Sequence, residues 1–408
     1  MKTSASLSRV KRGVLCAGCG GCAAVAPDSI SMKLSDAGYL RPIQKAEITA
    51  EEERAIAEIC PGLGQSVDPA GRQDNTIWGP FVEMYTGWAK DAALRHEASS
   101  GGALSAILVH LLQSGAVDGV WQIAADPDRP VGNINVLSRS AEAVMRAAGS
   151  RYAPSAPLDG LHDLMQDVAL GKLAFVGKPC DVAALRALQA REPRARERFP
   201  VLISFYCGGV PSLHGADQVV EALGKDPKAI SEFRYRGRGW PGRATATDET
   251  GDAASMTYHE SWGKILSHHV QHRCKICADG AGAAADIVCA DAWETDDRGY
   301  PLFEELDGVS LVVARTELGQ SIIRSAQEQD ALAIQPFDVE QLTAIQRGQV
   351  WRRRGIWPRL TALRLLGKPV PTYKGLHVRE VMRLSTPKEI ARNFLGTIKR
   401  ILTGRVRE

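Results

Sequence analysis

The sequence lacks the features that mark secreted, membrane-spanning or disordered proteins. Aromatic residues make up only 6% of the 408 positions, and the net charge is only +3. The longest apolar run, GGALSAILVHLLQSGAV, is interrupted by His110 and Gln113 and is too short to cross a bilayer. The N-terminal stretch is basic but has no apolar core of signal-peptide length. We therefore expect a cytoplasmic globular protein with a substantial core.

The Walker A lysine motif is also absent. The spacing GxGxxG occurs only as GRGWPG at 237–242, in a segment predicted to form hairpins and not a strand followed by a helix, so neither standard nucleotide fingerprint applies. Cysteine, by contrast, occurs nine times. In a reducing compartment these residues are not expected to form a disulfide framework, and their clustering predicts metal or redox chemistry instead.

The first cysteine cluster lies in CAGCGGC, where each cysteine is two residues from the next, as in bacterial ferredoxins. Ala26 stands where the fourth cysteine of the ferredoxin run would be. That fourth cysteine ligates the other cluster of a two-cluster ferredoxin, while the first three use a distant cysteine, usually followed by proline. Cys60 precedes a proline and provides this ligand. The pattern predicts a 4Fe–4S cluster on Cys16, Cys19, Cys22 and Cys60, with zinc on the same thiols as the alternative.

A second thiol group is predicted further along the chain. Cys180 and Cys207 each follow a predicted buried strand, and the carboxyl ends of neighbouring parallel strands are where α/β sheets bind ligands. Cys274 and Cys277 form a CxxC pair that can complete a four-thiolate site. The alternative for Cys180 and Cys207 is that they are buried, inert thiols. Cys289 lies in an apolar run, and we interpret it as a core residue.

The order of patterns predicts an α/β protein, α+β overall, in three parts. These are a small ferredoxin-like head (1–75), an α/β layer with a β-rich insertion (76–340) and a basic helical segment (341–408). GLGQSVDPAGRQDN is predicted to be a linker. Alternating strands and helices indicate a largely parallel sheet. Predicted helices span 100–115, 161–171 and 181–192, and predicted strands span 117–125, 172–177, 201–207 and 308–316.

Three turns rich in small residues lie in the α/β layer, and one directly precedes a helix. Free backbone N–H groups at a helix N-terminus bind phosphate when no side chain blocks access. These turns together predict a site for a phosphate-bearing cofactor, although each alone is explained by an N-cap or a simple turn. The candidate residues are Ser99, Ser100, Gly101, Gly102, Gly149, Ser150, Arg151, Tyr152 and Lys178.

The C-terminal segment is strongly basic, with 16 Lys and Arg and three acidic residues from Arg347 onwards. Such a segment indicates a peripheral membrane surface or another anionic partner, or a solvated helical face. Thr386, Pro387 and Glu389 form a capping box at the start of its last predicted helix. We expect the apolar stripe of that helix to dock on the body of the protein, with a membrane-surface helix as the alternative.

Taken together, CAGCGGCAAV, SSGGALSAIL, GSRYAPS, FVGKPCDVAAL, FYCGGVPS, FRYRGRGWPG, CKICADG and ADIVCADAW…GVSLVVART resemble the coenzyme F420 hydrogenase/dehydrogenase beta-subunit family. Relatives of this family include ferredoxin-dependent chlorophyll-type reductases. The resemblance extends from about Cys16 to Val313. It departs from the family at Cys289, where a glycine is expected and where the side chain would crowd a flavin.

The resemblance implies an iron–sulfur flavoprotein oxidoreductase with FAD in the α/β layer. Residues 99–102 and 149–152 would contact the flavin, and the cysteines would ligate one or two 4Fe–4S clusters. A ferredoxin-like donor or coenzyme F420 would be the electron partner, and an unidentified organic substrate would be reduced in members that do not use F420.

Two other functions remain open from the sequence. The chain could be the electron-input subunit of a larger hydrogenase or dehydrogenase, or a non-enzymatic, zinc-stapled protein that binds nucleic acid, although we expect no nucleic-acid partner.

The arginines 234, 236, 238 and 243 are expected to bind an anionic group or to be solvated. Asp286 and Asp291 are expected to be structural, with contact to the cofactor as the alternative. The catalytic acid is unassigned, with candidates His96, His259, His268, His269 and His272.

Overall fold

The computed structural model describes residues 2–293, 305–404 and 406. Its strands, in chain order, are β1 (Ile30–Leu34), β2 (Leu40–Gln44), β3 (Gly64–Ser66), β4 (Gln73–Asn75), β5 (Gly79–Phe81), β6 (Glu83–Ala89), β7 (Gly119–Ala125), β8 (Asn133–Ser138), β9 (Leu173–Val176), β10 (Val201–Phe205), β11 (Ile230–Arg234), β12 (Arg243–Asp248), β13 (Ala253–Thr257), β14 (Ile287–Asp291), β15 (Ser310–Ala314), β16 (Leu332–Pro336) and β17 (Thr372–Lys374).

The α-helices, in chain order, are α1 (Ala5–Gly13), α2 (Gly21–Val25), α3 (Ala50–Ile59), α4 (Ala92–Glu97), α5 (Ala103–Gln113), α6 (Ala141–Arg146), α7 (Leu161–Gln166), α8 (Pro179–Arg191), α9 (Pro193–Arg198), α10 (Leu213–Ala222), α11 (His272–Lys275), α12 (Glu317–Glu328), α13 (Val339–Ile345), α14 (Arg347–Arg354), α15 (Ile356–Leu365), α16 (Val378–Met382) and α17 (Pro387–Leu402). A π-helix spans His259–Ile265, and 3₁₀-helices span Val168–Leu170 and Leu266–His269.

The centre of the fold is an eight-stranded sheet in the order β16-β6-β15-β14-β10-β9-β7-β8. The neighbours β14, β10, β9 and β7 are parallel, whereas β8, β15, β6 and β16 join antiparallel. The α/β class is therefore confirmed, but the expectation of a largely parallel sheet is wrong. An apolar run predicts a buried strand without giving its direction, so the antiparallel strands were not apparent from the sequence.

The parallel strands are buried because helices cover both faces of the sheet. All four residues of β9 are buried, as expected for a strand packed on both sides. Apolar residues of α5 and α12 pack on one face, and those of α8 pack on the other. The predicted strands and helices of this layer are present. The helix predicted at 161–171 is interrupted at Asp167, which caps the 3₁₀-helix that follows.

The head consists of the β1–β2 hairpin and three helices, with a Thr49–Glu52 capping box at the start of α3. The predicted linker is wrong in part, because Gly64–Ser66 forms β3 and pairs in parallel with β17. Core residues of the head also pack with α15 of the basic segment. The head and the C-terminal segment thus share one apolar cluster.

The β-rich insertion is confirmed as the antiparallel sheet β11-β12-β13. The predicted capping box of α17 is present, since Thr386 and Glu389 each bond the other's backbone N–H. This helix packs on α15, and Asn393 accepts hydrogen bonds from Arg359 at 3.0 and 2.8 Å. The predicted docking of the helix on the body is therefore confirmed. None of the helices that the structure describes has the length and apolar character needed to cross a membrane.

Candidate functional site

A cleft of about 320 Å³ opens at the carboxyl ends of the parallel strands β9, β10 and β14. This is the edge at which α/β sheets bind ligands, and the volume is at the lower end of the range for cofactor sites. Residues that follow each of the three strands form one side. The turns at 98–105 and 147–153 form the other.

The turn before α5 leaves the N-terminus of that helix open to the cleft. Gly102 is its N-cap, with φ +73°, and no side chain caps the helix. A Cβ at Gly101 would lie 2.7 Å from both the Gly87 carbonyl oxygen and the Ser310 nitrogen, so only glycine fits there. Ser99, Ser100 and Gly102 line the cleft, whereas Gly101 packs behind them and does not. The first amides of α5 are thus available to an anionic group.

The second turn is joined to the first. The Ser150 N–H donates to Ser99 Oγ, which itself lies 3.4 Å from the carbonyl oxygen of Arg236. Gly149, Ser150, Arg151 and Tyr152 all line the cleft. The guanidinium of Arg151 is used internally, since it donates to Asn133 Oδ1 at 2.8 Å and to the Pro130 carbonyl at 2.7 Å. Arg151 therefore braces the turn.

Lys178 also lines the cleft, but its amine is paired within the protein. Its Nζ lies 2.7 Å from Asp181 Oδ2 and 2.7 Å from Ser155 Oγ. Burial acts most strongly on the pKa of Lys178 and lowers it, but Asp181 together with Cys180 and Cys207 outweighs burial and raises that pKa. The amine thus belongs to a buried ion pair at the base of the cleft.

A second buried ion pair forms the wall beyond β14. Arg236 Nη1 and Nη2 each donate to a carboxylate oxygen of Asp291 at 2.7 Å, and Trp240 Nε1 donates to Asp291 at 3.1 Å. The guanidinium lies over the rings of Tyr258 and Trp293, 5.2 and 5.1 Å from their centroids. No local sequence pattern indicates this pair, because its members are 55 positions apart.

The four arginines predicted to bind an anion or to be solvated are all bonded within the protein, but Arg238 and Arg243 are also exposed, as expected for a solvated face. Arg234 pairs with Glu97, and Arg238 pairs with Glu97 and Glu232. Arg243 donates to Ser255 Oγ at 2.8 Å. For Arg236, which is buried and fully paired, both expectations are wrong.

Asp286 and Asp291 both have structural contacts, as expected. The Asp286 carboxylate accepts the Leu202 N–H at 2.8 Å and the Thr316 hydroxyl at 3.0 Å, and it pairs with Arg186 at 2.9 Å. Asp286 therefore ties β10, α8 and the start of α12 together beneath the cleft.

The four head cysteines line one small cavity of about 20 Å³. Burial, followed by the neighbouring thiols of Cys16, Cys19 and Cys60, raises the pKa of Cys22. Burial, with Cys16 next, raises the pKa of Cys60 to about 11. The Gly18 N–H points at Cys16 Sγ across 3.3 Å. The head loop therefore brings together the four thiols that the sequence singled out.

The second thiol group is also brought together. Burial raises the pKa of Cys207 to about 12, with the thiols of Cys274 and Cys277 among the further causes. Burial likewise raises the pKa of Cys180, and the thiols of Cys207 and Cys277 add to this rise. Val210 N–H and Gln271 Nε2 each donate to Cys274 Sγ at 3.4 Å. Cys207 also lines the cleft, so the second group borders it.

Arginines of the C-terminal segment hold the backbone around this second group. Arg352 donates to the Cys207 and Cys274 carbonyls, Arg353 to the Ala278 carbonyl, and Arg359 to the Lys275 carbonyl at 2.7 Å. The sequence prediction of an external anionic partner did not include this internal use of the segment's cations.

Within the stretches that the structure describes, no three or more Cys, His, Asp or Glu side chains meet closely enough to hold a single metal ion. Both thiol groups remain predictions as metal ligands.

Cys289 lies on β14, where it is 5% exposed and packs in the core as predicted, but it also lines the cleft. Burial raises the pKa of its thiol to about 12. Among the described residues around the cleft, none is one of the five candidate histidines. His269 is instead bonded to Gln218 at 2.9 Å, and burial lowers the pKa of His272 to about 4.

Two sequence models of one family match the chain. The N-terminal part of the coenzyme F420 hydrogenase/dehydrogenase beta subunit matches residues 84–161, and its C-terminal part matches residues 170–340. Together they cover more than half of the chain, and they include both turns of the cleft and the second thiol group.

Curated relatives agree with this match. The beta subunit of coenzyme F420 hydrogenase from Methanococcus voltae is 26% identical over 72% of this chain and 99% of its own length. Coenzyme F420-dependent sulfite reductase of Methanocaldococcus jannaschii is 23% identical over 94% of this chain and 60% of its own length. The chloroplastic 7-hydroxymethyl chlorophyll a reductase of Oryza sativa subsp. japonica is 24% identical over 83% of this chain and 68% of its own.

A solved structure shares the fold. A chain of the F420-reducing [NiFe] hydrogenase complex from Methanosarcina barkeri matches with a TM-score of 0.53 and 21% identity, covering 69% of this chain and 95% of that one. The named relatives are oxidoreductases or subunits of them, which supports an oxidoreductase role. The chain belongs to the coenzyme F420 hydrogenase/dehydrogenase beta-subunit family.

Proposed function

We propose that this chain is an oxidoreductase in which thiol-bound 4Fe–4S clusters exchange single electrons with FAD held in the cleft. The main support is the position of Cys207, which belongs to the second thiol group and also lines the cleft. A cofactor in the cleft therefore lies next to that group, and electrons have a short path between them.

The cleft fits a cofactor with phosphate groups. The uncapped N-terminus of α5 and the glycines of the two joined turns offer backbone N–H groups without blocking side chains. A bound flavin supplies the exchange between hydride transfer and single-electron transfer. Gly149 and Ser150 line the cleft, and so does the Arg236–Asp291 pair.

The thiol groups fit clusters better than zinc ions. Three cysteines in one tight run suit a cuboidal cluster better than the paired-cysteine layout of zinc ribbons. Cys60 lines one cavity with them and precedes a proline, as the distant ligand of such a cluster usually does. The same thiols therefore favour a cluster and argue against a zinc-stapled, nucleic-acid-binding protein.

The two-electron partner is proposed to be coenzyme F420 or an organic substrate, with a ferredoxin-type donor in the second case. Relatives named for F420 support the first possibility. The chlorophyll a reductase supports the second. No histidine of the described cleft wall provides a proton donor, so we do not assign the catalytic acid to any of the five candidates.

A second proposal is that the chain is the electron-input subunit of a larger complex. Its support is that the chain spans 99% of one hydrogenase beta subunit and 95% of a chain from a solved hydrogenase complex. This proposal predicts stable co-purification with a catalytic subunit and no substrate turnover by the chain alone.

The first test is iron, zinc and flavin analysis of protein purified without oxygen. We expect brown protein with FAD and roughly eight irons per chain if both groups hold 4Fe–4S clusters. Cys60→Ala should lose the head irons, Cys274→Ala should lose a different set, and Cys289→Ala is the matched control that retains both. Colourless protein with stoichiometric zinc would refute the proposal.

The second test identifies the electron partner. Reduced ferredoxin and reduced F420 are added separately to the oxidised protein, and bleaching of the flavin absorbance is followed. Bleaching by reduced F420 alone supports hydride exchange with F420, and bleaching by ferredoxin alone supports reduction of an organic substrate. Failure of both donors with a flavin-loaded chain would favour the subunit proposal.

A further inference from the structure

The Arg273 side chain lies between the two thiol groups. It directly precedes Cys274 of the second group in the sequence. Its Nη2 donates to the carbonyl oxygen of Pro61 at 2.7 Å, and Pro61 directly follows Cys60 of the head group. The residue is 1% exposed. One buried guanidinium therefore connects the backbone of one thiol group to the other.

This cation has no acidic partner among the residues that the structure describes, where none of the ion pairs includes Arg273. Its Nε and Nη1 are buried and have no hydrogen-bond acceptor there. The ring of Tyr373 lies 5.8 Å from the guanidinium, but the Tyr373 hydroxyl donates its own proton to the Ile276 carbonyl at 2.7 Å. Burying an unpaired charge is costly, so a compensating anion is expected nearby.

The neighbouring thiols are the available source of that anion. Arg273 directly precedes Cys274 and reaches the backbone of the residue that follows Cys60, so thiols of both groups lie near its guanidinium. The thiols that interact electrostatically with it are Cys180, Cys274 and Cys277 of the second group and Cys60 of the head. The guanidinium thus interacts with thiols of both groups, and deprotonated, cluster-bound thiols would supply the missing negative charge.

We infer that Arg273 is shared by the two clusters and that its single positive charge raises the reduction potential of both. This inference rests on the proposed function, because it needs clusters on both thiol groups. Reduction of either cluster adds one electron and one negative charge. A nearby cation stabilises the reduced form, and a cation shared by two clusters does so for each of them.

The test compares two variants with a matched control in otherwise complete protein. Arg273→Gln removes the charge but retains a donor for the Pro61 carbonyl, and Arg273→Lys retains the charge. Arg315→Met is the control, because Arg315 is fully buried and bonded to the carbonyls of Trp78, Pro80 and Ala281, with no thiol among its electrostatic neighbours. Midpoint potentials are measured by EPR during titration with dithionite, alongside iron content.

For Arg273→Gln, we expect at least a tenfold loss in the reduction equilibrium of each cluster, or about 59 mV per one-electron step. Arg273→Lys should stay close to wild type, and Arg315→Met should not change either midpoint. Iron-loaded Arg273→Gln with unchanged midpoints would overturn the inference and leave the proposed function intact. Wild-type protein without iron would instead refute the proposed function, and the inference with it.

A second measurement does not depend on the Arg273 variants retaining their iron. If one guanidinium contacts both sites, the two reduced clusters are close enough for spin–spin interaction. The EPR spectrum of fully reduced wild type should therefore be broader than the sum of the spectra of Cys60→Ala and Cys274→Ala. A spectrum equal to that sum would overturn the inference.

Discussion

Replacing Asp291 with asparagine should destabilise the wall of the cleft, because it leaves a buried cation without a counter-charge. Asp291 accepts two hydrogen bonds of 2.7 Å from Arg236 and one of 3.1 Å from Trp240. The Arg236 side chain is only 3% exposed, so water cannot replace the carboxylate. Asparagine retains the shape and one acceptor oxygen but removes the charge.

The size of the effect follows from the burial of the pair. Removing one partner of a buried ion pair costs about 3–5 kcal/mol. Unfolding entropy is about 2.1 cal/mol/K per residue, so a cooperative unit of 408 residues should melt about 4–6 °C lower. A smaller cooperative unit would show a larger shift.

The assay is thermal unfolding of wild type, Asp291→Asn and two comparison variants. Asp330→Asn removes the partner of Lys90 in an exposed pair of 3.0 Å, where the loss should be below about 1 kcal/mol. Asn also tolerates the φ of +55° at position 330. The double variant Arg236→Met/Asp291→Leu removes both charges. It should lose less stability than Asp291→Asn alone, because no buried charge is left unpaired.

Two results would refute this reasoning. Asp291→Asn could lower the melting temperature no more than Asp330→Asn, which would mean that the buried pair is as weak as an exposed one. Alternatively, the double variant could lose at least as much as Asp291→Asn, which would mean that packing and not the unpaired charge determines the cost.

Three further predictions concern stability elsewhere. Burial lowers the pKa of His110, so below about pH 6.5 the unfolded chain gains a proton that the folded chain does not, and stability falls. When the pH is lowered from about 8 to about 5.5, the melting temperature of wild type should therefore fall more than that of His110→Gln. Gly20→Ala should destabilise the protein more than Gly160→Ala, because both positions have positive φ but only at Gly20 would the Cβ meet the Asp159 nitrogen, at 2.5 Å. Equal losses of stability in the two variants, each about 1–2 kcal/mol by thermal unfolding, would contradict the clash. Thr386→Ala should remove one cap of α17 and cost about 1 kcal/mol, measured by denaturant unfolding against Thr343→Ala, an exposed residue of α13.

The sequence was most informative where chemistry depends on local rules. Cys60 was placed with the head cysteines because a cysteine before a proline is the usual distant ligand, and the structure brings it to their cavity. The strand before Cys207 was predicted from a short apolar run, and it forms β10. Glycine-rich turns were likewise visible as sequence, since their backbone needs small residues.

The sequence was least informative where function depends on pairing between distant elements. Nothing local to Arg236 indicates that its partner is Asp291, and nothing near Lys178 distinguishes a cofactor contact from a pair with Asp181 three residues away. The pairing of β3 with β17 joins residues about 300 positions apart. Such contacts follow from how the sheet and its helices assemble, which periodicity within one element does not encode.

The buried cations of the C-terminal half connect these observations. Arg273 reaches the head, while Arg352 and Arg353 bond backbone carbonyls beside Cys207 and Cys277. Burial favours the neutral form of a thiol, so without clusters these cations would face uncharged sulfur. With clusters they would face anions and recover part of their desolvation cost. The same arginines would therefore make cluster loading and folding favour each other. This would explain why part of the basic segment packs against the thiol loops while the rest faces solvent.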